Sequence, residues 1–266
     1  MPTAHSVDGT PIVYESLGAG EPLLLVAGQA CDGQWWAPLR AHYAVNHRVI
    51  TFDHRGTGAS GKPLTPYTTQ LFAADAVAVL DHAGVARAHV VGHSMGGRVA
   101  QWLGVTCGAR VGGLVLAATT PGNAHGVARD PVVNAALVQG RVDTLLPYLV
   151  SRHFAKTHPD YVLNLTRTLV HSAINHRTAQ HYQASEGHDA WELLSTITNP
   201  TLILHGQFDQ INRVENAALL QSQIPNAHVH YIAGGRHSFF HEFIDESARV
   251  VLEFLTSNPL EESLRA

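Results

Sequence analysis

The sequence predicts an α/β fold, a mostly parallel central sheet with helices on both faces. Short uninterrupted apolar runs such as PLLLVAG, AHVVGHS and VGGLVLAAT alternate with longer segments whose apolar residues recur at helical spacing. Strands apolar on both faces belong in a sheet covered on both sides, the arrangement made by parallel strands joined through helices. The chain has 266 residues and is 45% hydrophobic, enough for one large domain or a domain carrying an insertion.

The first expected strands are PIVYESLG and PLLLVAG. A helix around Trp36 to Tyr43 leads to the strand HRVITFD, and TTQLFAADAVAVLDHAG carries helical spacing up to Gly84. AHVVGHS reads as a strand, MGGRVAQWLGVTCG as a helix and VGGLVLAAT as the next strand. After residue 199 the alternation resumes, with strand PTLILHG, a helix over 213–223, strand AHVHYIAG and a strongly periodic helix over 238–256. From Pro121 to Asn199 it stops. That stretch holds helical patterns (DPVVNAALVQG, VDTLLPYLVSRHF, HPDYVLNLTRTLVHSAI) and no convincing strand. The expected organisation is a core of residues 1–120 and 191–266, with a helical insertion over 121–190.

Composition narrows the function. A net charge of -4 with 14% charged residues leaves no electrostatic footprint for nucleic acid. Two cysteines, Cys31 and Cys107, make no disulfide framework, and a reducing cytoplasmic setting is expected. The segment Met1 to Gly9 lacks the apolar stretch of a signal peptide, and no run approaches the roughly 18 apolar residues that span a bilayer, so no membrane partner is expected. The sequence is silent on oligomeric state.

The chemistry concentrates in VVGHSMGGRVAQ. Ser94 sits in Gly92-His93-Ser94-Met95-Gly96, after an apolar strand and before a helix, the context of a nucleophile elbow. With 23 glycines in the chain the bare motif is weak, and the flanking strand and helix give it weight. A serine hydroxyl needs a base, and the base an orienting acid. His237, in the loop of GGRHSFF, is the candidate base, and Asp209, just past the end of LILHG, the candidate acid. The order Ser, Asp, His fits this elbow. The competitors are placed less well: His205 ends a strand, His230 lies inside one, His241 falls in a helical pattern, and Glu215 falls within the next helix.

With these residues in place, the chain resembles the α/β-hydrolase superfamily, in its serine carboxylesterase and enol-lactonase-like branch. The likeness extends to FDHRGTGAS, similar to the family's Asp-x-Arg-Gly-x-Gly-x-Ser loop, and to NPTLILHGQFD. It implies structural roles for Asp53 and Arg55. Some relatives carry the acid after the earlier strand, where this chain has AATTPGN and no carboxylate. The resemblance also implies an oxyanion hole built from the backbone N–H groups of Gln29, with Ala30 as fallback, and Met95. Ala27-Gly28-Gln29 stands where the family usually has His-Gly-x. The insertion is implied to cap the serine. Trp35, Trp36, Phe208 and Phe239 are candidate pocket residues beside Leu145, Leu146, Tyr148 and Phe154 of the insertion, and simple core packing is an equal reading of each. Cys31 reads as a small buried filler, and His125 as a surface histidine.

The function so implied is hydrolysis of a small, largely apolar carboxylic ester or lactone through an acyl-enzyme, with no metal and no cofactor. Perhydrolase or haloperoxidase-like chemistry, carbon–carbon bond hydrolysis and thioester cleavage use the same residues. A ligand-binding receptor on the same fold is the reading of another class.

Overall fold

The computed structural model describes residues 1–173 and 176–260. Two residues of the expected insertion, 174 and 175, lie outside them. Among the described residues no helix is long and apolar enough to cross a membrane.

Strands β1 (Thr3–His5), β2 (Pro11–Leu17), β3 (Glu21–Val26), β4 (His47–Phe52), β5 (Ala88–His93), β6 (Val111–Ala117), β7 (Thr201–Gly206) and β8 (Ala227–Ile232) form one sheet in the order β1-β2-β4-β3-β5-β6-β7-β8. The first two pairings are antiparallel and all later ones parallel. β5 and β6 are buried at every residue, as their unbroken apolar runs require. The three-residue β1 has no apolar run and gives no signal in the sequence.

Helices α1 (Ala37–Tyr43), α2 (Thr69–His82) and α3 (Met95–Cys107) follow β3, β4 and β5. One core cluster joins Leu24, Val90 and Leu116 to Phe72, Val79 and Val99 of α2 and α3. A second, across the sheet, joins Leu25, Val91 and Val115 to Leu39 of α1 and Phe239, Val251 and Leu255 near the C-terminus. The sheet is thus covered on both faces.

Between β6 and β7 run α4 (Pro131–Gln139), α5 (Val142–Leu149), α6 (Arg152–Thr157), α7 (Pro159–Ala173) and α8 (His176–Glu186). Val133, Leu145, Leu149 and Phe154 of these helices bury a third cluster, with Ile211 from beyond β7 among them. α9 (Glu215–Gln223) precedes β8. The single helix expected over 238–256 is two, α10 (Phe239–Glu242) and α11 (Ile244–Thr256). The break falls at Phe243, whose φ of -120° and ψ of 52° leave the helical region while its ring packs against the second core cluster.

Arg55 is fully buried and grips the fully buried Asp75 at 2.6 Å and Asp8 at 2.8 Å. Asp53 accepts the N–H groups of Gly33 at 2.9 Å and Ala59 at 2.7 Å, pinning the loop after β4. Removing one partner of a buried ion pair strands the other charge in the interior. Asp75→Ala is therefore expected to lower the unfolding free energy by about 3 kcal/mol. Urea titration checks this, and a midpoint within error of the wild type would count against it.

Candidate active site

Ser94 stands at the junction of β5 and α3 with φ 58° and ψ -118°, a strained conformation for a residue with a Cβ. The turn works because its neighbours are glycines. A Cβ on Gly92 would lie 2.2 Å from the Gly96 carbonyl oxygen, and one on Gly96 would lie 2.1 Å from that of Val26. The elbow therefore presses directly on the ends of β5 and β3.

The Ser94 hydroxyl lies 3.0 Å from His237 Nε2, and His237 Nδ1 lies 2.8 Å from Asp209 Oδ2. The three come from the ends of β5, β7 and β8, far apart in sequence. Asp209 is 3% exposed, and its other oxygen accepts the N–H groups of Ile211 at 2.8 Å and Asn212 at 3.0 Å. That fixes the carboxylate so that Oδ2 faces the imidazole. The imidazole donates from Nδ1 and presents the Nε2 lone pair to the serine, so the arrangement can take a proton from Ser94 as it attacks.

The competing groups are engaged elsewhere. His205 Nε2 donates to the Asn212 carbonyl at 2.6 Å and lies 3.6 Å from Asp209. His241 Nε2 donates to the Trp35 carbonyl at 2.9 Å. Glu215 pairs with Arg213 on the surface. Burial lowers the pKa of both His205 and His241, the latter to about 4. The second histidine of the elbow, His93, donates from Nε2 to the His237 carbonyl at 2.8 Å and so supports the loop that carries the candidate base. Burial, then the neighbouring His237, holds the His93 pKa well below 6.5.

The loop after β3 faces the elbow. Gly28 sits against Ser94, where an added Cβ would lie 3.4 Å from the serine Cβ, an ordinary contact. The turn's unusual residue is Ala30, at φ 59°. The Ala27 carbonyl accepts from His54 Nε2 at 3.0 Å, the Gly28 carbonyl from the Cys31 N–H at 3.2 Å, and the Ala30 N–H donates to His181 Nδ1 at 3.3 Å. Ala30, the fallback donor, is thus occupied. The N–H groups of Gln29 and Met95 have no hydrogen-bond partner among the described residues. The Met95 N–H is also the first of α3, where the positive end of the helix dipole lies.

The aromatic residues differ from the pocket expected of them. Trp36 and Phe239 are 0% exposed in the second core cluster, so neither reaches a cavity open to solvent. Phe208 is 56% exposed. The half-buried Trp35 ring stacks on His93 at 4.4 Å and lies tilted against His241 at 4.4 Å. Leu145 and Phe154 are buried in the third cluster, with Leu146 and Tyr148 packed against it. Cys31, expected to be buried, is half-buried against the second core cluster, and its loss of solvation pushes the thiol up to about 12. Asp32 caps the short turn Gly33–Trp36 by accepting the Gln34 N–H at 3.0 Å. His125 is exposed and stacks on Trp191.

Residues 40–243 match the family described as serine aminopeptidase, S33. The chain belongs to this family of α/β-hydrolases. Over 254 residues it is 29% identical to a putative carbamate hydrolase RutD of Azorhizobium caulinodans, covering 90% of this chain and 92% of that one. The enol-lactonase of Burkholderia xenovorans LB400 superposes with a TM-score of 0.86 at 24% identity, over 96% of this chain and 100% of that one. Est816, described as an N-acyl homoserine lactone degrading enzyme, gives a TM-score of 0.83 at 29% identity, over 95% of this chain and 100% of its own. Both solved structures share this fold over nearly the whole of the chain. Among the described residues no group of three or more His, Cys, Asp or Glu side chains is arranged to hold a metal ion.

Sequence reasoning missed the inserted helices as supports of the site. The His237 N–H donates to the Tyr148 carbonyl at 3.2 Å and the Ser238 N–H to that of Leu149 at 2.8 Å, so the end of α5 carries the base loop. Carbonyl acceptors leave no mark in a sequence. α8 touches the loop after β3 through His181.

Proposed function

We propose that this α/β-hydrolase cleaves the carbonyl–oxygen bond of small, largely apolar carboxylic esters or lactones through an acyl-enzyme on Ser94. The observation that carries the reading is the hydrogen-bonded series Ser94, His237, Asp209 at the strained elbow. His237 accepts the hydroxyl proton as Ser94 Oγ attacks the carbonyl carbon. The N–H groups of Gln29 and Met95 stabilise the tetrahedral oxyanion. Collapse expels the alkoxide, which takes the proton from His237, and leaves the acyl-serine. Water, deprotonated by His237, then attacks the acyl carbon and releases the acid and free Ser94. In a lactone the alkoxide stays tethered to the acyl group. The helices between β6 and β7 act as a cap that excludes water and grips the acyl chain.

The likeness to a putative carbamate hydrolase favours a second substrate class, carbamates, through the same acyl transfer. The reading is tested with a fluorophosphonate probe and mass-spectrometric mapping, alongside p-nitrophenyl esters of rising chain length, γ- and δ-lactones, aryl carbamates and thioesters. Stoichiometric labelling at Ser94 with ester or lactone turnover is expected. A folded protein that takes no label would overturn the acyl-enzyme, and turnover of carbamates alone would shift the substrate class.

A further inference from the structure

Along one face, α8 and the residues just past it present three buried polar groups to the core. His181 is 1% exposed, Ser185 6% and His188 2%; the first two, four residues apart, lie on one side of the helix, and His188 follows just past its end. His188 Nδ1 accepts the Thr69 hydroxyl at 3.0 Å while its Nε2 donates to Gln101 Oε1 at 3.1 Å. Ser185 accepts from the buried Arg98 through both its carbonyl and, at 2.9 Å, its hydroxyl. His181 accepts the Ala30 N–H at Nδ1 and donates from Nε2 to the Arg55 carbonyl at 2.7 Å. Its two ring nitrogens thus hold two loops at once, the one after β3 and the one after β4.

We propose that His181 is a positioning residue for the oxyanion hole, fixing the Ala30 peptide so that the neighbouring Gln29 N–H points at the substrate carbonyl. The inference rests on the reading of Ser94 as nucleophile and Gln29 as oxyanion donor. Ala30 holds φ 59°, a left-handed conformation that is strained for an alanine and persists only where its surroundings impose it. The imidazole holds it from outside, and the Cys31 N–H on the Gly28 carbonyl closes the turn from within. His54 anchors the turn on one side, at the Ala27 carbonyl, and His181 anchors it on the other, at the Ala30 N–H. The Gln29 N–H lies between the anchors with no protein partner among the described residues. Without an acceptor at residue 181 the Ala30 N–H is left unpaired, and the peptide turns to relieve both the strain and the missing bond. Rotation of one peptide unit swings its neighbour's N–H off the developing oxyanion.

The test separates acceptor from donor at position 181. An asparagine offers a carbonyl oxygen near the place of Nδ1, and a glutamine offers an amide N–H₂ near the place of Nε2. His181→Gln and His181→Phe are expected to lower kcat on a p-nitrophenyl ester by roughly 10- to 100-fold with KM little changed, as a misaimed donor does. The affinity for phenylboronic acid, whose adduct with Ser94 places an oxygen in the hole, should weaken by a similar factor. His181→Asn should recover most of both. Folded Gln or Phe variants with wild-type kcat and boronate affinity would overturn the proposal, as would an Asn variant no better than Gln. If Phe fails to fold, the Asn and Gln pair still decides. Failure of the underlying reading looks different: in that case Ser94→Ala leaves ester hydrolysis intact in the unaltered His181 background.

Discussion

Ser94→Ala is expected to cut ester or lactone turnover on the order of 10⁶-fold, and His237→Ala by a similar factor. Combining the two should cost little more than either alone. A serine without its base, or a base without its serine, performs no nucleophilic step, so the losses do not add. The Asp209 variant is the sharper test of the geometry. In Asp209→Asn the side-chain oxygen must stay where Oδ1 is, because the N–H groups of Ile211 and Asn212 require an acceptor there. The amide –NH₂ then faces His237 Nδ1, at the place Oδ2 occupied at 2.8 Å. Two donors cannot share that contact, so the ring takes the other tautomer, with its proton on Nε2 and aimed at Ser94. It can no longer accept the serine proton. The expected loss is about 10⁴-fold in kcat with the fold intact. Steady-state kinetics with active-site titration checks both, and a Ser94→Ala protein keeping a tenth of wild-type turnover would refute the assignment.

The elements that could be read from the sequence are those whose cause is local. β5 and β6 are buried on both faces and wholly apolar, and the elbow is marked by Gly92 and Gly96, at which a side chain would strike backbone. Ser94, Asp209 and His237 follow from strand ends and chain order. The supports of the site were not readable, because they pair a side chain with distant backbone. His181 meets the Ala30 N–H and the Arg55 carbonyl, and neither depends on the residue type carrying it. For the candidate pocket aromatics the sequence left lining and core packing equally open, and Trp36 and Phe239 lie in the core. A tryptophan beside a candidate site looks the same in sequence whether it faces a ligand or, like Trp36, the core.

The same histidines make the protein sensitive to acid. His181 is buried against His54, and its pKa falls to about 3; burial takes that of His241 to about 4. Both are neutral in the folded state at mildly acidic pH, whereas in the unfolded chain they titrate near 6.5. A folded pKa below the unfolded one means that, between the two values, the unfolded state binds more protons. The stabilisation from keeping these rings neutral is complete above about pH 6.5 and is lost as pH falls towards the folded values. From pH 7.5 to pH 5 each ring contributes a loss of about 2 kcal/mol, about 4 kcal/mol for the pair, against a typical domain stability of about 5–15 kcal/mol. Burial shifts His54, His93, His188 and His205 in the same direction, which steepens the fall. Urea titrations at pH 7.5, 6.5, 5.5 and 5 should show unfolding free energy dropping with a slope of two protons or more near pH 5.5. Removing one titrating ring, as in His241→Leu, should reduce that slope by about one proton whatever it does to stability at pH 7.5. A stability flat from pH 7.5 to pH 5 would mean that these rings are protonated in the folded state. His181 could not then accept the Ala30 N–H, so the stability profile also tests the contact that aims the oxyanion loop.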